Sequence, residues 1–126
     1  MQKPMELKLT VPLPPSVNHC YFTCPKTGRR ILTKKGKQYV AAVQTMAKLE
    51  ANQQGWEPTA KQKVIINLWW WFPDNIRRDT HNGLKLLLDA LEKAVYDDDR
   101  YALPRIQDWD VDKTDPRVEM EIRTLR

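Results

Sequence analysis

Only two cysteines, four glycines and two histidines occur in 126 residues, and each scarcity closes off a class of protein. Cys20 and Cys24 are too few for a disulfide framework. "HCYFTC" supplies His19, Cys20 and Cys24, but His81 is the other histidine and there is no third cysteine. Structural zinc generally takes four protein ligands, so loop packing is the expected role of these side chains. No apolar run approaches the length of a membrane span and no secretory h-region opens the chain, which points to a soluble, cytoplasmic protein. With 41% apolar and 29% charged residues the composition is that of a folded chain. The length suits one domain, residues 1–126, with a core that needs neither disulfide nor structural metal.

Acid is missing from most of the first half. Between Leu7 and Leu49 stand eight Lys/Arg and no Asp or Glu, whereas Asp89–Asp99 holds five acids against Lys93 alone. A net charge of +5 suits a polyanionic partner, because neutralised phosphates release condensed counterions. The acidic knot is harder to place. Asp97, Asp98 and Asp99 repel one another, and the end of a helix also disfavours anions. A compensating cation resolves the conflict, and carboxylate oxygens suit a hard ion such as Mg²⁺.

Hydrophobic periodicity predicts the elements. Met5–Val11 reads as a strand stopped by the prolines at 12, 14 and 15, followed by an irregular connection with "KTG" at its tip. Thr33 is positioned to cap a helix over 34–52 with Tyr39, Ala42, Val43, Met46 and Leu49 as its stripe, ended by Gly55 and Pro58. Lys63–Phe72 is a strand apolar on both faces, so both faces should be covered, one by helices and the other by packing or a second subunit. A second helix is expected over 80–95, capped by Asp79. In the tail, Ile106–Val111 should pair with Arg117–Ile122 as a hairpin across "DKTDP". Within it, Asp108, Asp110, Asp112 and Glu119 fall at calcium-loop positions, but Lys113 replaces the required glycine and the match is a coincidence. The order β–α–β–α–β–β predicts an α+β domain of two layers, with a mixed sheet and two main helices on one face.

"RRDTHNGLKLLLDAL…VYDDD", with "PLPPSVNHCY" and "TKKGKQYV" upstream, resembles the RusA-type Holliday junction resolvases, many of them prophage-encoded, over nearly the whole chain. The resemblance implies a bacterial or prophage endonuclease that cuts four-way DNA junctions by paired symmetric hydrolysis, in recombination and repair, as a homodimer. It implies that Asp79 is a metal-binding catalytic aspartate, that Lys85 is the catalytic lysine, and that the later acidic pair is Asp98 and Asp99, with Asp99 the better ligand. The family's second aspartate falls on His81. An imidazole suits Mn²⁺ better than Mg²⁺, so Mn²⁺ is the alternative to Mg²⁺ here, unless His81 acts as a base or orients water. No small-molecule cofactor is implied.

Asn82 and Asp89 would support the site from behind. Lys26, Arg29, Arg30, Lys34, Lys35 and Lys37, with Arg77 and Arg78, would hold the DNA backbone, contacts that position a duplex without reading sequence. A catalytically weak or inactive junction-binding protein is the competing expectation, for which His81 is the best argument. A phosphohydrolase of small nucleotides is a third, but it would not require the basic stretch.

Overall fold

A computed structural model describes residues 5–15, 20–76, 80–81 and 83–125. Strand β1 (Glu6–Val11) alternates exposed and buried, sending Leu7, Leu9 and Val11 inward. The irregular connection proves to contain a small hairpin, β2 (Tyr21–Thr23) and β3 (Arg30–Leu32). At its tip Cys24 N donates to Arg29 O and Gly28 N donates to Cys24 O, both at 2.8 Å. Gly28 takes φ 69° there, a conformation that glycine adopts without strain.

Helix α1 (Lys34–Gln54) starts as expected, with the Thr33 hydroxyl accepting from Gly36 N at 3.2 Å. Its buried row is Tyr39, Val43, Ala47 and Ala51. Of the expected stripe only Tyr39 and Val43 face the core; Met46 and Leu49 are 36% and 57% exposed. The alanines let the helix lie close on the sheet, and the larger side chains are displaced to the rim. Gly36 is a further close approach. A Cβ there would sit 2.6 Å from the Cys20 carbonyl oxygen and 2.9 Å from Leu32 Cδ2. Alanine normally stabilises a helix by about 1 kcal/mol over glycine. Gly36→Ala is nevertheless expected to destabilise by roughly 1–3 kcal/mol, because backbone must shift; urea denaturation of the two proteins checks the sign.

Strand β4 (Val64–Phe72) turns Val64, Ile66, Leu68, Trp70 and Phe72 into the core, and on its other face Ile65 is buried while Trp69 and Trp71 are half-buried. Helix α2 (Leu84–Leu91), strand β5 (Ala102–Val111) and strand β6 (Arg117–Thr124) follow. The sheet order is β1-β6-β4-β5, with β5 parallel to β4 and β6 antiparallel to both β4 and β1. The expected tail hairpin is therefore wrong, because β4 lies between β5 and β6. The most apolar strand takes neighbours on both edges, and the short link over 112–116 needs to step across only two strand spacings, about 10 Å. Asp112 N donates to Phe72 O at 2.8 Å and pins the crossing. A register shift between Leu68 and Trp69 bulges the β4–β5 ladder.

The inner faces of the strands and the buried faces of α1 and α2 form one hydrophobic cluster. The mixed sheet with two main helices on one face is thus the expected α+β architecture. At the far edge the Gln54 amide lies along β1: it accepts from Lys8 N at 2.9 Å and donates to Lys8 O at 2.7 Å.

Candidate active site

The second helix is half as long as its periodicity suggested, eight residues or about 12 Å. Leu86, Leu87, Ala90 and Leu91 are buried, leaving Lys85 and Asp89 on the accessible side. The chain leaves the helix at Glu92 with ψ 143°, and Lys93 takes φ 72°. Apolar residues continue past that point, but the core captures them as a turn. Tyr96 is fully buried and its hydroxyl donates to Leu88 O at 2.6 Å. Trp56 Nε1 donates to Val95 O at 3.1 Å, and Lys93 N donates to Tyr96 O at 2.7 Å. The turn so fixed carries Asp97–Asp99 back towards α2.

The three adjacent aspartates then diverge. Asp97 accepts from Lys61 N, at 3.2 Å to Oδ2. Asp98 Oδ1 accepts from Arg100 N at 2.9 Å and caps the 3-10 turn Asp99–Tyr101. Asp99 N donates to Glu92 Oε1 at 2.9 Å. Carboxylate oxygens of Asp89, Glu92 and Asp99 all lie within 4.8 Å of one another. Repulsion is thus relieved at two positions and concentrated at the third. Burial, then the charge of Asp89, raises the Asp99 carboxyl above its ordinary value, against an opposing pull from Lys85.

Two groups meet Asp89 from outside the acidic trio. The Tyr21 hydroxyl donates to Asp89 Oδ2 at 3.0 Å, and Lys85 Nζ stands 3.8 Å from the same oxygen. Burial first, and the Asp89 hydrogen bond second, raise the Tyr21 phenol, so it remains protonated and a donor. The Arg30 guanidinium carbon lies 5.2 Å from the centre of the Tyr21 ring. Lys26, Arg29, Arg30, Lys34, Lys35 and Lys37 are all exposed along the hairpin and the first turn of α1, so the basic segment is available to a polyanion.

Of the residues expected to act, the structure draws Asp99 into the acidic group and brings Lys85 beside it. Asp89, expected as a support, supplies an oxygen itself. Glu92 was missed, although the Asp89–Glu92 spacing puts both on one side of a helix. His81 is exposed and outside the group; its carbonyl accepts from Leu84 N at 3.2 Å. Asp98 is committed to its cap. Asp79, Asn82, Arg77 and Arg78 lie outside the described residues. The expected Asp79 cap is corrected: the helix begins only at Leu84, behind Gly83, and no side chain caps it. The calcium-like stretch holds a cation of its own: Arg117 contacts Asp112 and Glu119 at 2.9 Å each.

Three oxygen ligands so close, one of them a carboxyl whose proton affinity burial and the Asp89 charge raise, fit a hard divalent cation. The sequence profile of the endodeoxyribonuclease RusA matches residues 12–123. The chain belongs to the RusA endodeoxyribonuclease family. No individually curated protein matches it in sequence. In this RusA-family nuclease the matched span takes in the hairpin, both helices and the entire acidic trio. Among its described residues no helix is long and apolar enough to cross a membrane.

Proposed function

We propose that this RusA-family protein is a divalent-metal-dependent endodeoxyribonuclease that resolves four-way DNA junctions by paired, symmetric phosphodiester hydrolysis. The observation that carries the reading is the convergence of Asp89, Glu92 and Asp99, where burial and the Asp89 charge raise the Asp99 carboxyl. The exposed basic hairpin is joined to that group through Tyr21. Mg²⁺ is the default ion and Mn²⁺ the alternative, given His81 where the family resemblance places an aspartate. When bound, the ion activates water and neutralises charge on the scissile phosphate and leaving oxygen.

The chain's own residues do the rest. Asp79 would complete the ligand set begun by Asp89, Glu92 and Asp99, and Asn82 would steady it; Asp98, held in its cap, and His81, outside the group, border the set rather than belong to it. Lys85, 65% exposed at its side chain, is free to swing from Asp89 to the phosphate and stabilise the extra negative charge of the transition state. Lys26, Arg29, Arg30, Lys34, Lys35, Lys37, Arg77 and Arg78 hold the backbone. The corresponding setting is the cytoplasm of a bacterium, with a chromosomal or prophage origin.

Two symmetric cuts call for two sites, hence a homodimer. The outer sheet face offers a surface for it. Trp69 and Trp71, with Lys8, Thr10, Glu119 and Glu121, line a depression of about 380 Å³. Charges of both signs pair across β1 and β6 on this face, Lys8 opposite Glu121 beside the depression and Glu6 opposite Arg123 beyond it, which a two-fold copy could match. The experiment is to incubate the protein with a synthetic four-way junction or the matching linear duplex, in Mg²⁺, Mn²⁺ or chelator. Paired nicks in the junction only, lost on chelation, are expected, from a protein that scatters light as a dimer. Tight junction binding without nicks in either metal would replace the nuclease by a binding module.

A further inference from the structure

We propose that Tyr21 is a positioning residue for the acidic group, orienting Asp89 so that the grip of the basic hairpin and the binding of a divalent ion are linked. The inference rests on the metal-dependent reading above and deepens it. Nothing in the resemblance assigns Tyr21 a role. It stands on the first residue of β2, paired across the hairpin with Leu32, and is only 9% exposed. Its ring is therefore held by packing rather than free to rotate away. From that fixed base the hydroxyl reaches 68 positions along the chain to Asp89 Oδ2, at 3.0 Å.

A carboxylate has rotational freedom about its last bonds, and three of them around one ion must give up that freedom together. Of the two groups that meet Asp89 from outside the trio, Lys85 is a long, exposed side chain at 3.8 Å, and such a contact contributes little order. A hydrogen bond from a phenol held by packing is the stronger constraint, because donation to a charged acceptor is among the stronger hydrogen bonds. It also leaves the second oxygen of Asp89 available. The hairpin end of the link is equally specific. Arg30 stacks on the Tyr21 ring at 5.2 Å and projects from the exposed basic segment that would meet phosphate. A DNA backbone that engages Arg30 therefore bears on the same side chain that sets Asp89.

The test uses the full chain and Mn²⁺ alone as the probe, by titration calorimetry without DNA. Tyr21→Phe removes the donor and keeps the ring. Its Mn²⁺ affinity should fall by roughly 10–100-fold, the range for residues that orient metal ligands. The Mn²⁺ concentration for half-maximal junction cutting should rise by the same factor. Cutting at saturating Mn²⁺, and junction binding in chelator, should stay within about 3-fold of the parent, a split that a general loss of packing would not produce. Should Tyr21→Phe fold poorly, tyrosine is replaced at that position by 4-methylphenylalanine and by 4-aminophenylalanine. These match its size and differ in the donor, and only the amino form should restore affinity. Unchanged Mn²⁺ affinity in the donor-free variants overturns the role of Tyr21 and leaves the nuclease reading standing. A parent protein that takes up no Mn²⁺ in the site, seen as identical titrations of parent and Asp99→Asn, overturns both.

Discussion

Asp99→Asn is expected to lower junction cleavage by at least about 100-fold, the upper range for a residue that merely supports a ligand, while raising the melting temperature of the metal-free protein. The two effects have one cause. Burial and the neighbouring charge of Asp89 raise the proton affinity of Asp99 in the folded state. A group whose folded pKa is raised favours the fold fully below its unfolded value, near pH 4, and that contribution is lost as pH rises through the folded value. At neutral pH the ionised Asp99 therefore opposes folding, and asparagine removes the opposition. The gain should amount to a few degrees for a chain of this size. It should be largest near neutrality and vanish towards pH 4, as differential scanning fluorimetry across that window would show. Added Mn²⁺ should reverse the order, because an ion that binds only the folded parent stabilises the parent. An Asp99→Asn protein that cuts junctions at the parent rate would remove Asp99 from the site.

Trp56→Ala is the second large effect, this time on stability. Trp56 is 3% exposed, and its indole donates to Val95 O at 3.1 Å. Emptying such a site costs about 3–5 kcal/mol, a large part of the roughly 5–15 kcal/mol that holds a typical domain. Chemical denaturation should show the midpoint falling accordingly. Trp56→Phe should cost far less, since Thr59 N also donates to Val95 O, at 3.1 Å, and the carbonyl keeps a partner. The alanine variant should also lose Mn²⁺ affinity, because the residues beneath Asp97–Asp99 are those that Trp56 clamps.

How much of this was legible beforehand differs from element to element. The alternation in β1, the Thr33 cap and the continuous apolar run of β4 are local signals, and all three elements formed where those signals lay. The helix after Asn82 was overextended because Ala94, Val95 and Tyr96 continue its apolar pattern. Tertiary capture decided otherwise: Tyr96 bonds to Leu88 O and Trp56 to Val95 O, contacts that no periodicity contains. The tail failed for a related reason. Alternation in Arg117–Thr124 specifies a half-buried strand but not its neighbour, and the neighbour was β4. At the site, the acidic density near Asp99 was visible as charge. Its partition into one loop support, one cap and one clustered carboxylate was not, because that depends on where Lys61, Arg100 and Glu92 come to lie. Tyr21 closes the "PLPPSVNHCY" stretch that carries part of the resemblance, but nothing in that stretch pointed it at Asp89.

The side-chain amide of Gln54 has a bearing on how copies of this chain can meet. By occupying both the amide and carbonyl of Lys8 it deprives the outermost strand of a place where another chain could extend the ladder. The opposite rim is bulged and studded with Arg105, Asp108 and Asp110, which discourages the same event there. Both rims of the sheet are thus guarded against end-to-end growth of one copy onto the next into fibrils.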